Sequence, residues 1–336
     1  MNPDETLLAV DGLGITFVNG NTRVEATSDI GFAIAPGERV GIVGESGCGK
    51  TITGLSLLGL LPPATTIVAG TAMFEGENLI GLPMSRMRHV RGRKISMIFQ
   101  EPMSALDPVF TIGQQIGETI RTHFSATKAE ARERAVAALE SVGIPSPERV
   151  HDSYPHQLSG GMRQRAMIAI ALVCEPRLLI ADEPTTALDV TIQAQIIDLL
   201  LAQSARSGTA LLFITHDLGV VAETCTRMLT MYAGEIVEDA PVDSALVRPR
   251  HPYTSGLLRS LPRLSARGAV LPSIAGRVPD LRDMPRGCRF AERCGHRRAE
   301  CAQAQVLEEA DGHRVRCWRQ SELVLPGALT EREAAA

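Results

Sequence analysis

A glycine-rich stretch, Gly44–Thr51, contains the residue types that bind a chain of phosphates. Its sequence, Gly-Glu-Ser-Gly-Cys-Gly-Lys-Thr, fits the pattern G-x-x-x-x-G-K-[ST]. Because glycine has no Cβ, the backbone can curl closely around phosphate oxygens and turn its N–H groups inward. Lys50 is then expected to reach the β- and γ-phosphates, and Thr51 to give its hydroxyl to Mg²⁺. We predict a nucleotide-binding P-loop formed by Gly44, Glu45, Ser46, Gly47, Cys48, Gly49, Lys50 and Thr51.

Three further apolar, strand-like runs are each followed by polar side chains. Gln100 follows the first run, Asp182 and Glu183 follow the second, and His216 follows the third. Each alone is ordinarily a turn residue, a helix cap or a satisfied polar group. Ligand sites in parallel sheets lie at the carboxyl ends of the strands, so these residues are expected to gather near the P-loop. Asp182 is predicted to lie near Mg²⁺ and Glu183 to act as general base on the attacking water. Gln100 is expected to contact Mg²⁺ and that water, and His216 to hydrogen-bond the γ-phosphate.

A second glycine-containing loop, Leu158-Ser159-Gly160-Gly161-Met162, precedes a run of small apolar residues that predicts a helix. By itself, Ser-Gly-Gly before a helix is an anion-binding helix N-terminus. The P-loop already accounts for one set of phosphates. A second loop of this kind therefore requires another nucleotide or another subunit.

The elements around these motifs alternate in type. Residues 7–43 are predicted to be mainly β-structure, with two short strands over Leu7–Val10 and Gly14–Val18 followed by a turn at Asn19-Gly20-Asn21. Farther on, buried strands alternate with helices, which predicts a parallel sheet. Phe17, in the first β region, is expected either to stack on an adenine ring or to belong to the core. Thr127 and Glu130 have capping-box spacing and predict a helix start.

Composition limits the classes that the chain can belong to. The 336 residues are 44% hydrophobic and 21% charged, with a net charge of −4, as in an ordinary globular protein. The charge does not favour nucleic-acid binding. The sequence shows no secretory signal and no apolar run of the ~20 residues that span a bilayer. We therefore expect a cytosolic protein that reaches a membrane only through a partner.

Four of the seven cysteines, Cys288, Cys294, Cys301 and Cys317, lie close together in the sequence near its end. In a reducing cytosol, such a group favours metal ligation over disulfides. Four thiolates suit zinc or an iron–sulfur cluster, although the spacing is not the C-x₂-C pattern of zinc ribbons. Four reduced thiols in a small core are the alternative.

Taken in order, these motifs resemble the ATP-binding subunit of an ABC transporter. In that family the P-loop is followed by the Q-loop glutamine (Gln100), the signature loop (Leu158–Met162) and the strand carrying the catalytic glutamate. The D-loop Ala187-Leu188-Asp189 and the H-loop His216 come next. Three further stretches are similar to the oligopeptide/dipeptide importer subfamily: residues 100–108, His251-Pro252-Tyr253-Thr254 and residues 287–294.

The resemblance implies an α/β P-loop NTPase with a mixed core sheet, an antiparallel β subdomain, a helical subdomain and a small cysteine-bearing extension. Its expected boundaries are 1–240 for the ATPase domain, about 101–165 for the helical subdomain, 241–325 for the extension and 326–336 for a flexible tail. A head-to-tail dimer is also implied, in which Ser159, Gly160, Gly161 and Asp189 meet the ATP held by the other subunit.

The resemblance further implies ATP-driven import of di- or oligopeptides. The expected partners are a second ATPase subunit (a copy or a paralogue), two membrane permeases and an extracytoplasmic solute-binding protein. The chain would lie on the cytoplasmic face of the inner membrane. Nickel and glutathione importers have closely similar subunits, so these solutes stay open. ATP and Mg²⁺ are the expected cofactors, with a [4Fe–4S] cluster on the four late cysteines.

Two other classes fit the sequence less well. Soluble ABC ATPases that act on ribosomes or DNA usually carry two ATPase units or a long coiled-coil insertion, and the sequence shows neither. P-loop GTPases carry an Asn-Lys-x-Asp motif that reads guanine, which is also missing from the sequence.

Overall fold

The computed structural model describes residues 6–101, 105–185, 189–260 and 273–328. The chain divides into two compact units. The first comprises Met1–Ile34, Arg39–Gly81 and Ile214–Ala336, and the second comprises Ala35–Glu38 and Leu82–Phe213. The P-loop and the late cysteines thus belong to the first unit, and the signature loop and Glu183 belong to the second.

The described residues form strands and helices that alternate through much of the chain. The strands are β1 Leu8–Asn19, β2 Thr22–Ile34, β3 Arg39–Val43, β4 Thr66–Phe74, β5 Glu77–Asn78, β6 Ile95–Ile98, β7 Leu178–Asp182, β8 Ala210–Ile214, β9 Arg227–Tyr232, β10 Glu235–Pro241, β11 Glu308–Ala310 and β12 His313–Val315. The helices are α1 Lys50–Leu57, α2 Met84–Val90, α3 Ile112–His123, α4 Lys128–Ser141, α5 Pro147–His151, α6 Gly160–Leu172, α7 Val190–Ser207, α8 Leu218–Thr224, α9 Val242–Val247 and α10 Pro252–Arg259. None of the helices in the described ranges combines the length and the apolar composition that a membrane span needs.

The first unit contains an antiparallel sheet with the order β2-β1-β4-β5, which confirms the predicted β subdomain. A turn at Gly20 joins β1 to β2, so that Asn19 pairs with Thr22. The sequence predicted two short strands before this turn, whereas the structure has one long strand. The register of β1 shifts between Val10 and Leu13, where Gly12 adopts a positive φ of 56°. This bulge keeps the strand continuous through a stretch with the composition of a turn.

The first unit also contains strands in the order β11-β12-β10-β9-β3. β3 and β9 are parallel, while β9, β10, β12 and β11 pair antiparallel, so this part of the sheet is mixed, as predicted. The β-branched and apolar residues of β3 are buried, which fits a strand covered on both faces. The hairpin of β11 and β12 joins the last part of the chain to this sheet.

In the second unit, β8, β7 and β6 lie side by side in that order, and β6 and β7 are parallel. Helices α3, α4, α5 and α6 pack against one another, in agreement with the predicted helical subdomain. The capping box predicted at Thr127 and Glu130 is formed at the start of α4. Its apolar residues Ala131, Ala135 and Leu139 are buried, as helical spacing requires.

Candidate functional site

The P-loop connects the buried strand β3 to helix α1 in the first unit. Gly44, Gly47 and Gly49 have φ angles of 154°, 79° and 105°, a region that side chains with a Cβ rarely adopt. Gly49 is the N-cap residue of α1. The loop therefore turns sharply into the positive end of a helix, the geometry that favours bound phosphate. The predicted order of strand, loop and helix is confirmed.

Lys50 lies inside this loop. Its side chain is nearly buried, with 6% of the residue exposed. Nζ donates to the carbonyl oxygen of Gly44 at 2.8 Å and to that of Glu45 at 3.1 Å. The ammonium group is thus held by the start of the loop, where its charge can attract phosphate oxygens.

Backbone from the β9–β10 hairpin fixes the P-loop from one side. A Cβ at Gly44 would collide with the carbonyl oxygen of Met231. The N–H of Gly234, in the hairpin turn, donates to the carbonyl of Cys48 at 2.9 Å. The loop therefore needs glycine at position 44 for two reasons, its φ angle and this close approach.

Two of the predicted site residues meet in the second unit. Gln100, which follows β6, donates from Nε2 to Oε2 of Glu183 at 3.0 Å. Asp182 ends β7 and is buried. Glu183 follows it with a φ of 45°, which is an unusual conformation for a residue with a side chain. The backbone therefore turns at Glu183, and its carboxylate meets the Gln100 amide beyond the strand ends.

The signature loop begins helix α6, also in the second unit. Ser159 is the N-cap residue, and its Oγ accepts from the N–H of Met162 at 3.4 Å. A Cβ at Gly160 would meet no atom of the described residues within 4 Å. A Cβ at Gly161 would lie 3.5 Å from Cγ2 of Ile192, an ordinary contact. The fold of the subunit thus gives no steric reason for glycine at position 160.

Further contacts join α6 to its surroundings in the second unit. Buried Gln164 donates from Nε2 to the carbonyl of Pro184, the residue after Glu183, at 2.5 Å. Asp189 caps α7, and its Oδ1 accepts from the N–H of Ile192 at 3.0 Å. Ala187 and Leu188 of the predicted D-loop lie outside the described residues. The helix of the signature loop is therefore in direct contact with the turn that carries Glu183.

Thr51, His216 and Phe17 are the remaining predicted residues of the nucleotide site, and all three belong to the first unit. Thr51 lies in the first turn of α1. His216 is exposed and follows Thr215, whose N–H donates to the carbonyl of Ile42 in β3 at 3.1 Å. This bond places His216 close to the strand that leads into the P-loop. Phe17 is half-buried in β1.

The four late cysteines line one small pocket in the first unit, together with Phe290, His296 and Trp318 among others. Two of the four sulfurs accept a backbone N–H. The sulfur of Cys294 accepts from His296 at 3.4 Å, and that of Cys301 accepts from Arg298 at 3.5 Å. Such N–H groups stabilise thiolates and tune sulfur ligands.

Burial acts on these sulfurs in the opposite direction. It raises the pKa of Cys288 to about 12, and it also raises the pKa of Cys294 and of Cys317. These thiols are therefore protonated at neutral pH, and binding of a cation would release their protons. Within the described ranges, no three or more His, Cys, Asp or Glu side chains form a group that could hold a metal ion. We call the pocket that the four late cysteines line the cysteine pocket.

The structure also reveals two P-loop contacts that the sequence analysis did not predict. The N–H of Glu45 donates to the hydroxyl of Tyr253 at 2.8 Å. The carboxylate of Glu45 accepts two hydrogen bonds from Arg293, at 2.6 and 2.9 Å. The partners are 208 and 248 positions from Glu45, so no local spacing could have indicated these contacts. Tyr253 belongs to the stretch His251–Thr254, which carried the resemblance to the importer subfamily.

Solved structures identify the class of protein. The fold resembles a dimeric, post-hydrolysis state of the ATP-binding cassette MJ0796 bound to ADP and Pi, with a TM-score of 0.63 and 26% identity over 70% of this chain and 98% of that one. It also resembles cbiO1 from Clostridium perfringens, part of the ABC transporter complex cbiONQ, with a TM-score of 0.60 and 27% identity over 71% of this chain and 90% of that one. With its P-loop, the chain is an ATP-binding cassette, a P-loop NTPase that hydrolyses ATP.

Sequence comparisons identify the family. Residues 27–186 match the ABC transporter family, and residues 237–301 match the oligopeptide/dipeptide transporter C-terminal region. A probable peptide ABC transporter ATP-binding protein of Sinorhizobium fredii is 52% identical over 95% of this chain and 97% of its own length. The dipeptide transport ATP-binding protein DppD of Bacillus subtilis is 46% identical over 95% of this chain and 96% of its own length. The chain belongs to the ABC transporter ATP-binding proteins with an oligopeptide/dipeptide-type C-terminal region.

The glycines of the two loops should respond differently to the same substitution. Gly44→Ala should weaken binding of Mg-ADP at least about tenfold, because the new Cβ collides with the Met231 carbonyl in a strained region of φ. Gly160→Ala, the matched control, should leave the affinity within about twofold, because its Cβ enters open space. Titration calorimetry of the folded subunit measures both. Equal affinities for wild type and Gly44→Ala would contradict this account of the loop.

Proposed function

We propose that this chain is the ATP-hydrolysing subunit of a membrane importer of di- or oligopeptides. The observation that carries the proposal is the match of residues 237–301 to the oligopeptide/dipeptide transporter C-terminal region. Relatives named for peptide transport, which align over almost the whole chain, support it.

Each residue of the predicted ATP site has a proposed role that suits its chemistry. The P-loop N–H groups and Lys50 bind the phosphates, while Thr51, Gln100 and Asp182 serve Mg²⁺. Glu183 accepts a proton from the attacking water, and the Gln100 amide that donates to its carboxylate orients it. His216 holds the γ-phosphate, and Phe17, which is only half-buried, stacks on adenine.

The signature loop acts on a nucleotide held by another subunit. Gly160 supports this proposal, because a Cβ at this position would meet no described atom of the same subunit within 4 Å. The need for glycine there would then come from another molecule. Ser159, Gly161 and Asp189 would then face the γ-phosphate of the partner's ATP in a head-to-tail dimer of two copies or of paralogues. Moving such a dimer from mostly open to mostly closed takes about 5.5 kcal/mol of differential binding. Several charge-assisted hydrogen bonds at ~1.5–3 kcal/mol each are sufficient, and hydrolysis removes them.

Membrane subunits would supply the transport path. Val109 and Phe110 lie in the second unit before α3, and they are 69% and 47% exposed although apolar. Exposed apolar residues of this kind suit docking of a helix from a permease. The chain would then lie at the cytoplasmic face of the inner membrane and serve two permeases and an extracytoplasmic solute-binding protein.

Loss of the general base should separate binding from turnover. Glu183→Gln should bind Mg-ATP about as tightly as wild type, but its turnover should fall by at least about a hundredfold, because the amide cannot accept the proton. The trapped ATP should keep the subunits paired, which size-exclusion chromatography with ATP would show as a dimer. Glu140→Gln, an exposed carboxylate on α4, is the control and should behave as wild type. Wild-type turnover in Glu183→Gln would refute the role of Glu183.

Transport itself is tested in proteoliposomes that contain this chain with its membrane subunits and binding protein. We expect ATP-dependent uptake of a radiolabelled dipeptide or oligopeptide, and none when the ATPase carries Glu183→Gln. Parallel assays with ⁶³Ni²⁺ and labelled glutathione test the two other solutes. Uptake of either of them without uptake of peptide would contradict the peptide proposal while leaving the ATPase roles intact.

We further propose that the cysteine pocket closes around a [4Fe–4S] cluster when the cluster is loaded, because no three or more His, Cys, Asp or Glu side chains of the described ranges are already arranged to hold a metal ion. Its support is that the four cysteines line one pocket and that the sulfurs of Cys294 and Cys301 accept backbone N–H groups. When bound, a cluster supplies redox-active iron, or a structural crosslink, between Cys288, Cys294, Cys301 and Cys317. The four cysteines would bind it through thiolates, next to the buried ring of Phe290.

Metal analysis of protein purified without oxygen tests this assignment. We expect about four iron atoms per chain and absorption from thiolate-to-iron charge transfer. Cys317→Ser should lose the iron, whereas Cys174→Ser, a buried cysteine outside the pocket, should keep it. Stoichiometric zinc without iron would contradict the cluster.

A further inference from the structure

The P-loop residue Glu45 is held by two residues from the last third of the chain. Its N–H donates to the Tyr253 hydroxyl, and its carboxylate accepts a bidentate pair of hydrogen bonds from Arg293. The backbone and the side chain of one loop residue are therefore both fixed from outside the loop. A paired fork geometry of this kind restricts position and orientation together.

Arg293 is built into this position. Its side chain is only 5% exposed, and Glu45 raises its pKa. Besides Glu45, the guanidinium donates to the backbone carbonyls of Ala275 and Ile274. Buried guanidinium groups with several satisfied donors are held rigidly, whereas exposed surface ion pairs contribute little. The contact with Glu45 is therefore a fixed part of the fold.

The segment 288–294, which contains Arg293, also forms one wall of the cysteine pocket. Its two end residues are Cys288 and Cys294, and both pack against the aromatic cluster of Tyr232, Tyr253 and Phe290. The ring centroids of Tyr232 and Tyr253 are 4.6 Å apart, and those of Tyr253 and Phe290 are 5.4 Å apart. Phe290 itself lines the pocket. A single layer of packed aromatic rings therefore connects the cysteine pocket to the side chains that hold Glu45.

A second arginine of the segment reaches the other support of the P-loop. Arg289 donates to the carbonyl of Ala233 and pairs with Glu235. Ala233 and Gly234 form the hairpin turn whose N–H group donates to Cys48 in the P-loop. Arg289 and Arg293 therefore brace the loop at two points from one segment.

We propose that Tyr253 and Arg293 are positioning residues that fix the P-loop for nucleotide, and that segment 288–294 transmits the state of the cysteine pocket to that loop. The proposal does not depend on which group the pocket binds or on which solute the transporter carries. Neither residue needs to touch nucleotide, because both act through Glu45.

The first test measures nucleotide affinity. Arg293→Met should raise the Kd for Mg-ADP about tenfold and raise the KM for ATP while kcat changes less than about threefold. Tyr253→Phe, which removes one hydroxyl, should raise the Kd about threefold and keeps the test valid if Arg293→Met does not fold. Arg250→Met is the control, because Arg250 pairs with Asp311 and Ala310 and not with the P-loop. Its Kd should equal that of wild type.

A double-mutant cycle separates positioning from general stability. Glu45→Gln should raise the Kd, and adding Arg293→Met should raise it little further, because both changes remove the same contact. The positioning role would be overturned if the two substitutions acted independently, so that their effects on the Kd multiplied in the double variant. It would also be overturned if the variants lowered the melting temperature but kept the wild-type Kd.

The second test concerns transmission from the pocket. In protein isolated with its native pocket contents, Cys294→Ser should raise the Kd for Mg-ADP at least about threefold, and it should have no further effect when Arg293→Met is already present. Cys225→Ser, a buried cysteine outside the pocket, should leave the Kd unchanged. A Kd equal to wild type for Cys294→Ser would overturn transmission. All of these measurements use the isolated subunit, so a failure here is distinct from a failure of peptide transport.

Discussion

Binding of a triphosphate requires many N–H donors in a fixed loop, and this requirement explains much of the first unit. Glycines give the P-loop its positive φ angles, and Met231 and Gly234 hold it from the β9–β10 hairpin. Tyr253 and Arg293 then fix Glu45 at its start. A loop with three glycines at positive φ is restricted by contacts outside itself, because glycine leaves its own backbone conformationally free. The carboxyl-terminal region supplies part of that support.

The second unit contains the signature loop, and the packing of this unit does not explain why the loop has glycine at position 160. Ser159 caps α6 in an ordinary way, yet Gly160 faces open space. Gln164 connects the same helix to the turn after Glu183. A partner nucleotide that binds at Ser159–Gly161, as proposed, would therefore act on a helix already in contact with the turn that carries Glu183. This contact would connect the proposed dimer directly to the proposed general base.

Local patterns predicted the elements that carry the site, and one helix of the helical subdomain, well. The strand before the P-loop, the capping box at Thr127 and the polar residues after β6, β7 and β8 all follow from short-range spacing. The long β1 was predicted as two strands, because a turn composition at Gly12 does not reveal that the partner strands continue past it. The contacts of Glu45 were not predictable from spacing, since they join residues more than 200 positions apart. Nor does any pattern indicate that β12 pairs with β10.

The central claim is that the carboxyl-terminal region holds the P-loop in its binding shape. Hydrogen exchange of the Glu45 amide, resolved by NMR, tests this most directly, because that proton is donated to the Tyr253 hydroxyl. In wild-type protein the amide should exchange slowly, and in Tyr253→Phe it should exchange at least about tenfold faster while the amides of β3 keep their protection. An unchanged rate at Glu45, or a rate that rises equally throughout β3, would contradict the account.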